Sequence, residues 1–221
     1  MEARELFAKI DHTLLKATAT WQEITVLCEE AVQYHTASVC IPSCYVEAVH
    51  RVYGDKLTIC TVIGFPLGYC VTEAKLAELR QAKKDGAAEF DMVINISDLK
   101  NGKVEKVMRE IAALKKEAGN LILKVIVETC YLTEGEKIAV CKAVTDAGAD
   151  YIKTSTGFGT GGATLADVEL FKRHIGPNVK IKAAGGIKSV ADLEQFIAAG
   201  CSRIGTSSAV KLLSGGAAES Y

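Results

Sequence analysis

Ala147-Gly148-Ala149-Asp150-Tyr151-Ile152-Lys153-Thr154-Ser155-Thr156 reads as a helix end, a glycine stop and a β-strand, in that order. The same junction recurs at Asp85-Gly86-Ala87-Ala88 and at Ala199-Gly200-Cys201-Ser202, each glycine being suited to a left-handed helix stop. Five residues past the three glycines stand Asp91, Lys153 and Gly205. Equal offsets from equivalent junctions predict equal heights in their strands. Because side chains alternate across a strand, they also predict a common face. Asp91 and Lys153 are therefore expected to point into one shared interior. Lys182, within Val179-Lys180-Ile181-Lys182-Ala183-Ala184, and Lys124, in the strand before Lys153, fit the same scheme.

Outward from this stretch, short β-rich runs alternate with amphipathic helical ones along the whole chain. Strands are expected at Ile10 to Leu14, Ser38 to Ile41, Leu57 to Gly64, Glu89 to Asn95, Leu121 to Glu128, Tyr151 to Ser155, Val179 to Ala184 and Ser202 to Gly205. Helices are expected between them, among them Thr72 to Asp85, Val104 to Glu117, Thr133 to Ala147 and Ser189 to Ala199. Eight βα repeats imply an α/β protein whose parallel sheet closes into a (β/α)8 TIM barrel. An open doubly wound sheet would need fewer strands, and the first βα turn lacks the Gly-x-Gly-x-x-Gly fingerprint of that fold.

The 221 residues fit one barrel domain spanning 1–221, with a flexible tail at about 214–221. A net charge of −1 gives no support to a nucleic-acid or anionic-membrane partner. No apolar run is long enough for a bilayer span, and Met1-Glu2-Ala3-Arg4-Glu5-Leu6 lacks the apolar centre of a signal peptide. The eight cysteines are read as reduced thiols of a cytoplasmic protein, several of them in apolar strands. Cys40 and Cys44 miss Cys-x-x-Cys spacing and no histidine pair has ligand spacing, so no metal is expected. The expected partners are small molecules, with a homodimer or larger homo-oligomer compatible with apolar outer helix faces.

A lysine inside a strand is costly unless it is paired, neutral or reactive. A free lysine amine, with a pKa near 10.4, is neutral in only about 1 molecule in 2,500 at pH 7. Lowering that value by roughly 3 brings the neutral fraction toward a half, for a differential interaction of about 4 kcal/mol. Burial and a second ammonium can supply this. Lys153 is thus expected as the nucleophile, Lys182 as the charge that activates it, and Asp91 as the group that pairs with the charged lysine and moves protons. The plainer reading of the same residues is a buried ion pair.

Loops after the seventh and eighth strands of such barrels often hold phosphate on backbone N–H groups. Gly185 and Gly186 follow strand seven, and Gly205-Thr206-Ser207-Ser208 is read as following strand eight. Ser207 and Ser208 would add hydroxyls and Lys188 a charge. Gly157 to Gly162 is expected to form a mobile loop near that phosphate. Thr156 is placed at the substrate, although Thr154 and Thr156 also suit a strand. Asp11 is expected either on a substrate hydroxyl or in a structural hydrogen bond. Lys124 and Glu128 are expected on one strand face in a charged network. Cys40 is expected beside the pocket as a small apolar residue, with no histidine to activate it.

Six segments together resemble the deoxyribose-phosphate aldolase family, class I aldolases with a barrel fold. They are Ser38-Val39-Cys40-Ile41-Pro42, Val62-Ile63-Gly64-Phe65-Pro66-Leu67-Gly68, Glu89-Phe90-Asp91-Met92-Val93-Ile94-Asn95, Lys153-Thr154-Ser155-Thr156-Gly157-Phe158, Lys182-Ala183-Ala184-Gly185-Gly186 and Gly205-Thr206-Ser207-Ser208. The resemblance begins at Ile10-Asp11-His12-Thr13-Leu14 and covers nearly the whole chain. It implies reversible cleavage of 2-deoxy-D-ribose 5-phosphate to D-glyceraldehyde 3-phosphate and acetaldehyde, without a metal or organic cofactor. It also implies that Lys153 is the Schiff-base lysine, Lys182 the lysine that tunes it and Asp91 the proton-transfer aspartate. Tyr221 matches the tyrosine with which some members end. Phe158 and Lys188 stand where some members carry Lys and Arg. Outside the aldolases, the rival expectations are a phosphosugar isomerase or transaldolase-like barrel and a catalytically silent binding barrel.

Overall fold

A computed structural model describes residues 1–213. The chain opens with α1 (Ala3–Phe7) and β1 (Ile10–Thr13), then α2 (Trp21–Tyr34), β2 (Ser38–Ile41), α3 (Val46–Tyr53) and β3 (Ile59–Ile63). It continues through α4 (Thr72–Lys84), β4 (Glu89–Val93), α5 (Ile96–Lys100), α6 (Val104–Ala118) and β5 (Ile122–Ile126). The last third is α7 (Glu134–Asp146), β6 (Tyr151–Lys153), α8 (Leu165–His174), β7 (Lys180–Ala184), α9 (Val190–Ala199), β8 (Arg203–Thr206) and α10 (Ala209–Leu213). The eight strands pair in parallel in sequence order and β8 closes on β1, so the expected closed barrel is what forms. The tail expected at about 214–221, with Tyr221, lies outside the described residues.

Local chemistry explains where the elements begin and end. Thr20, Thr133 and Ser189 each cap a helix in a reciprocal capping box with Glu23, Glu136 and Asp192. Each box satisfies backbone N–H groups that the first turn leaves unpaired. Gly86, Gly148 and Gly200 all take positive φ, which supports the reading of the three junctions as equivalent. The strands are shorter than expected at their ends: β3 starts at Ile59 rather than Leu57, and β6 stops at Lys153. Gly205 and Thr206 belong to β8 itself, not to the loop that follows.

The barrel has two interiors of opposite character. Outward side chains such as Ile10, Val39, Ile41, Phe90, Met92, Leu123, Val125, Ile152 and Ile181 pack under the helices as the main apolar core. The inward face is largely polar and charged. Asp11, Ser38, Glu89, Asp91, Lys124, Lys153 and Lys182 are all buried there. A small apolar cluster of Leu15, Cys40, Cys60 and Val62, with Phe65 against it, covers part of the interior beside Asp91. The register lays Asp91 beside Lys124 and Lys153 beside Lys182, so the charges meet by strand pairing alone. No helix among the described residues is long and apolar enough to cross a membrane.

Candidate active site

Asp91 is the hub of the interior. One of its oxygens, Oδ2, accepts from Lys153 Nζ at 2.8 Å and from Lys182 Nζ at 2.6 Å. The other, Oδ1, accepts from Lys124 Nζ at 2.8 Å and from the Cys60 thiol at 3.2 Å. Lys124 also pairs with Glu89 at 2.6 Å and lies 3.5 Å from Asp11. Lys182 pairs with Asp11 as well. Arg203 closes the lower side, bonding Asp11 and clasping Glu89 through two nitrogens at 3.0 and 3.2 Å. Burial alone would raise the carboxyl pKa of Asp91, but the charges of Lys124, Lys153 and Lys182 outweigh it and hold Asp91 well below the ordinary range. Burial alone would lower Lys182, yet Asp11 and Asp91 outweigh it and keep this ammonium well above the ordinary lysine value. Lys124 is held up in the same way, chiefly by Asp11 and Asp91.

The ion pairs of this cluster differ among the three lysines. Four cationic side chains, Lys124, Lys153, Lys182 and Arg203, face three carboxylates, Asp11, Glu89 and Asp91. Lys124 touches all three carboxylates and Lys182 touches two. Among the described residues Lys153 forms an ion pair with Asp91 alone, through an oxygen it shares with Lys182. It is also the one lysine of the three with surface left open, 2% against none for Lys124 and Lys182. Lys153 stands at the last residue of β6.

The other expected residues divide into those inside the barrel and those on its rim. Cys40 lies inside, fully buried next to Cys60, whose hydrogen bond lowers the Cys40 thiol. Asp11 has Ser38 at 2.7 Å, Arg203, Lys182 and Lys124 around it and is fully buried. Of the two readings of Asp11, these contacts favour the structural hydrogen bond over the substrate hydroxyl, since its oxygens accept from Ser38, Lys182 and Arg203. Gly205 is likewise not a loop donor. It is an interior position where a Cβ would stand 3.1 Å from Lys182 Cε. Glu128 does not share the network of Lys124. The chain leaves β5 at Ile126, takes a left-handed φ of 55° at Glu128, and turns that carboxylate onto Thr156. Thr156 is thus engaged by its backbone N–H and its hydroxyl, both donating to Glu128. Burial pushes the Glu128 carboxyl up, against the opposing hydrogen bonds of Thr156.

On the rim, Gly185 and Gly186 turn with φ of 79° and 75° directly after β7. Lys188 is exposed one residue before the Ser189 cap of α9. Ser207 and Ser208 border a cleft of about 440 Å³ with His12, Thr13, Lys16 and Glu30. Lys153, Asp91 and Lys182 do not line that cleft, so it sits beside the lysine cluster rather than over it. The segment 157–162 is fastened to the rim at its far end. Ala163 donates to the carbonyls of Ala184 and Gly185, both at 3.1 Å, and Gly162 backs directly onto Gly185.

Arg203, Glu89 and Cys60 are the members of the cluster that sequence reading missed. Glu89 was recoverable, since it stands two residues before Asp91 on the same strand face. The same alternation links Arg203 to Gly205 on β8. Cys40, Cys60 and Asp91, and separately Asp11, Cys60 and Glu89, bring their ligand atoms within 4.8 Å of one another. The ammonium groups of Lys124, Lys153 and Lys182 already occupy the carboxylate oxygens of these sets, which suits them poorly to a divalent cation.

Comparison with known proteins points to one family. Residues 6–215 match the family described as DeoC/LacD family aldolase. The chain is 64% identical over 221 residues, all of both chains, to a deoxyribose-phosphate aldolase of Clostridium botulinum (strain Alaska E43 / Type E3). It is 55% identical over 210 residues to one of Clostridioides difficile (strain 630), covering 95% of this chain and 96% of the relative. Among solved structures, a deoxyribose phosphate aldolase from Aeropyrum pernix, described as a unique tetramer, superposes with a TM-score of 0.90 at 33% identity over 96% of this chain and 91% of its own. A protein described as QR15, an aldolase, gives 0.90 at 37% identity over 95% and 94%.

Proposed function

The chain belongs to the DeoC/LacD family of aldolases, and we propose that within its barrel Lys153 forms the Schiff base, Lys182 holds the neighbouring charge and Asp91 moves the protons. The reaction is the reversible aldol cleavage of 2-deoxy-D-ribose 5-phosphate to D-glyceraldehyde 3-phosphate and acetaldehyde. The observation that carries the assignment of residues is the shared oxygen: Asp91 Oδ2 holds Lys153 at 2.8 Å and Lys182, whose ammonium Asp11 and Asp91 keep above the ordinary lysine value, at 2.6 Å.

The steps follow from that arrangement. The neutral Lys153 amine adds to C1 of the open-chain sugar phosphate. The Asp91 carboxylate takes the proton from the nitrogen of the adduct and returns it to the oxygen, and a second proton, drawn from solvent and relayed by Asp91, lets the carbinolamine hydroxyl leave as water to give a protonated imine. The C3 hydroxyl then gives its proton through water to the Asp91 carboxylate, the C2–C3 bond breaks, and its electron pair moves into the imine as an enamine. Glyceraldehyde 3-phosphate departs with C3 as its aldehyde carbon. The same proton returns from Asp91 to C2, and addition of water releases acetaldehyde, restores the Lys153 amine and gives back to solvent the proton taken up at imine formation. The imine itself is the electron sink, so the sequence of steps needs no oxidant or reductant. The glycine turn at Gly185 and Gly186, with Lys188, Ser207 and Ser208 on the same rim, is read as the phosphate end of the site, since backbone N–H groups in such turns favour anions.

The test is product analysis with 2-deoxyribose 5-phosphate. Acetaldehyde and glyceraldehyde 3-phosphate should appear in equal amounts, and Lys153→Ala should abolish both. Consumption of the sugar phosphate without acetaldehyde would indicate an isomerase and overturn the reading.

A further inference from the structure

One buried carboxylate close to Lys153 takes no part in the steps above. Glu128 sits two residues past β5 in a left-handed backbone conformation, which costs a non-glycine residue energy and persists only where surrounding contacts enforce it. The contacts are plain. Val127 N donates to Lys153 O at 3.0 Å and Thr129 N to Thr154 O at 2.9 Å, so the backbone on both sides of Glu128 is sewn to the end of β6. Between them the carboxylate receives Thr156 N at 3.2 Å and the Thr156 hydroxyl. The Thr156 oxygen in turn accepts from Phe158 N at 3.0 Å. The Phe158 ring stands edge-on to Phe65 at 5.3 Å. A Cβ on Gly159 would lie 3.0 Å from Glu128 Cδ, so the loop also presses flat on the carboxyl group.

This is the near end of the 157–162 loop, which starts just past the last residue of β6, Lys153. Its far end is fastened at the Gly185 turn by Ala163 and Gly162. The loop therefore links the strand of the reacting amine to the turn read as the phosphate end.

We propose that Glu128 is a positioning residue for the phosphorylated end of the substrate: by holding Thr156 it fixes the 157–162 loop against the Gly185–Gly186 turn, without touching the reacting atoms. The proposal rests on the reading of that turn as the phosphate site. It predicts a split between acceptors rather than a general loss.

The experiment runs the condensation direction with acetaldehyde, comparing D-glyceraldehyde 3-phosphate with unphosphorylated D-glyceraldehyde. Glu128→Ala should raise KM for the phosphorylated acceptor roughly 10- to 100-fold, the scale of a displaced positioning contact. The unphosphorylated acceptor should change far less, and borohydride trapping of acetaldehyde should proceed at the wild-type rate. Glu128→Gln keeps an acceptor oxygen for Thr156 N and should recover most of the loss. Thr156→Val removes only the hydroxyl half of the contact and should shift KM the same way, which guards against a Glu128→Ala variant that folds poorly. Equal losses on both acceptors, a slowed trapping reaction, or no change in any variant would each overturn the proposal. A wild-type protein that neither traps acetaldehyde nor cleaves the sugar phosphate would instead sink the functional reading beneath it.

Discussion

At position 205 an added methyl would lie 3.1 Å from Lys182 Cε and 3.2 Å from Ala184 Cβ, with no solvent to yield. Glycine there leaves the passage through which the Lys182 stem reaches Asp91 and Asp11. Gly205→Ala should therefore displace Lys182, cost about 1–3 kcal/mol of stability through overpacking, and lower kcat/KM by roughly tenfold or more. Denaturant unfolding and steady-state kinetics check the two parts. A stable variant with unchanged kcat/KM would show that the position of Lys182 matters little. Residues of this kind were only partly legible in the sequence. The offset from the glycine junctions placed Asp91 and Lys153 on a common interior, and their 2.8 Å contact follows from it. The same rule put Gly205 at the right height, but a glycine has no side chain to announce that its task is to leave room. Asp11 stayed open between two roles for a different reason: its neighbours Ser38 and Arg203 come from other strands, so its donors could not be named in advance.

Among the elements, hydrophobic runs and capping residues located every strand and the long helices named in advance to within a few residues. What the pattern could not locate was where each strand stops. Apolar and β-branched residues continue past β5 to Val127 and past β6 to Thr156, yet pairing ends at Ile126 and Lys153. There the chain exchanges ladder bonds for loop contacts, Thr154 N donating to Lys182 O and Thr129 N to Thr154 O. The consequence is functional. Period-two alternation carried through Glu128 would aim its carboxylate at Lys124. The left-handed turn sends it to Thr156 instead and makes it part of the loop anchoring. Likewise the glycine-rich 157–162 segment suggested mobility by composition, whereas Gly162 and Gly159 serve close packing against Gly185 and Glu128.

For the molecule as a whole, the barrel interior is an ion network wrapped in an apolar shell, and its pH response follows from the directions of its pKa shifts. Asp11 and Asp91 are held below their unfolded values, so their contribution is complete above about pH 3.9 and is lost as pH falls toward their folded values. Lys124 and Lys182 are held above theirs, so their contribution is complete below about pH 10.4 and is lost as pH rises through the folded values. The cluster should thus support a stability plateau between roughly pH 5 and pH 9, with acid unfolding setting in below about pH 4. Denaturant midpoints across pH would test this, and a steady decline in stability across that plateau would contradict the charge assignments. Such a network is weak support for stability compared with an apolar filling of the same space. That Lys153 forms the Schiff base is the central proposal, and it is tested most directly by intact mass after incubation with acetaldehyde and borohydride. The account predicts one ethyl group added to the wild-type chain and none to Lys153→Ala. An equal gain on Lys153→Ala, or none on the wild type, would contradict it.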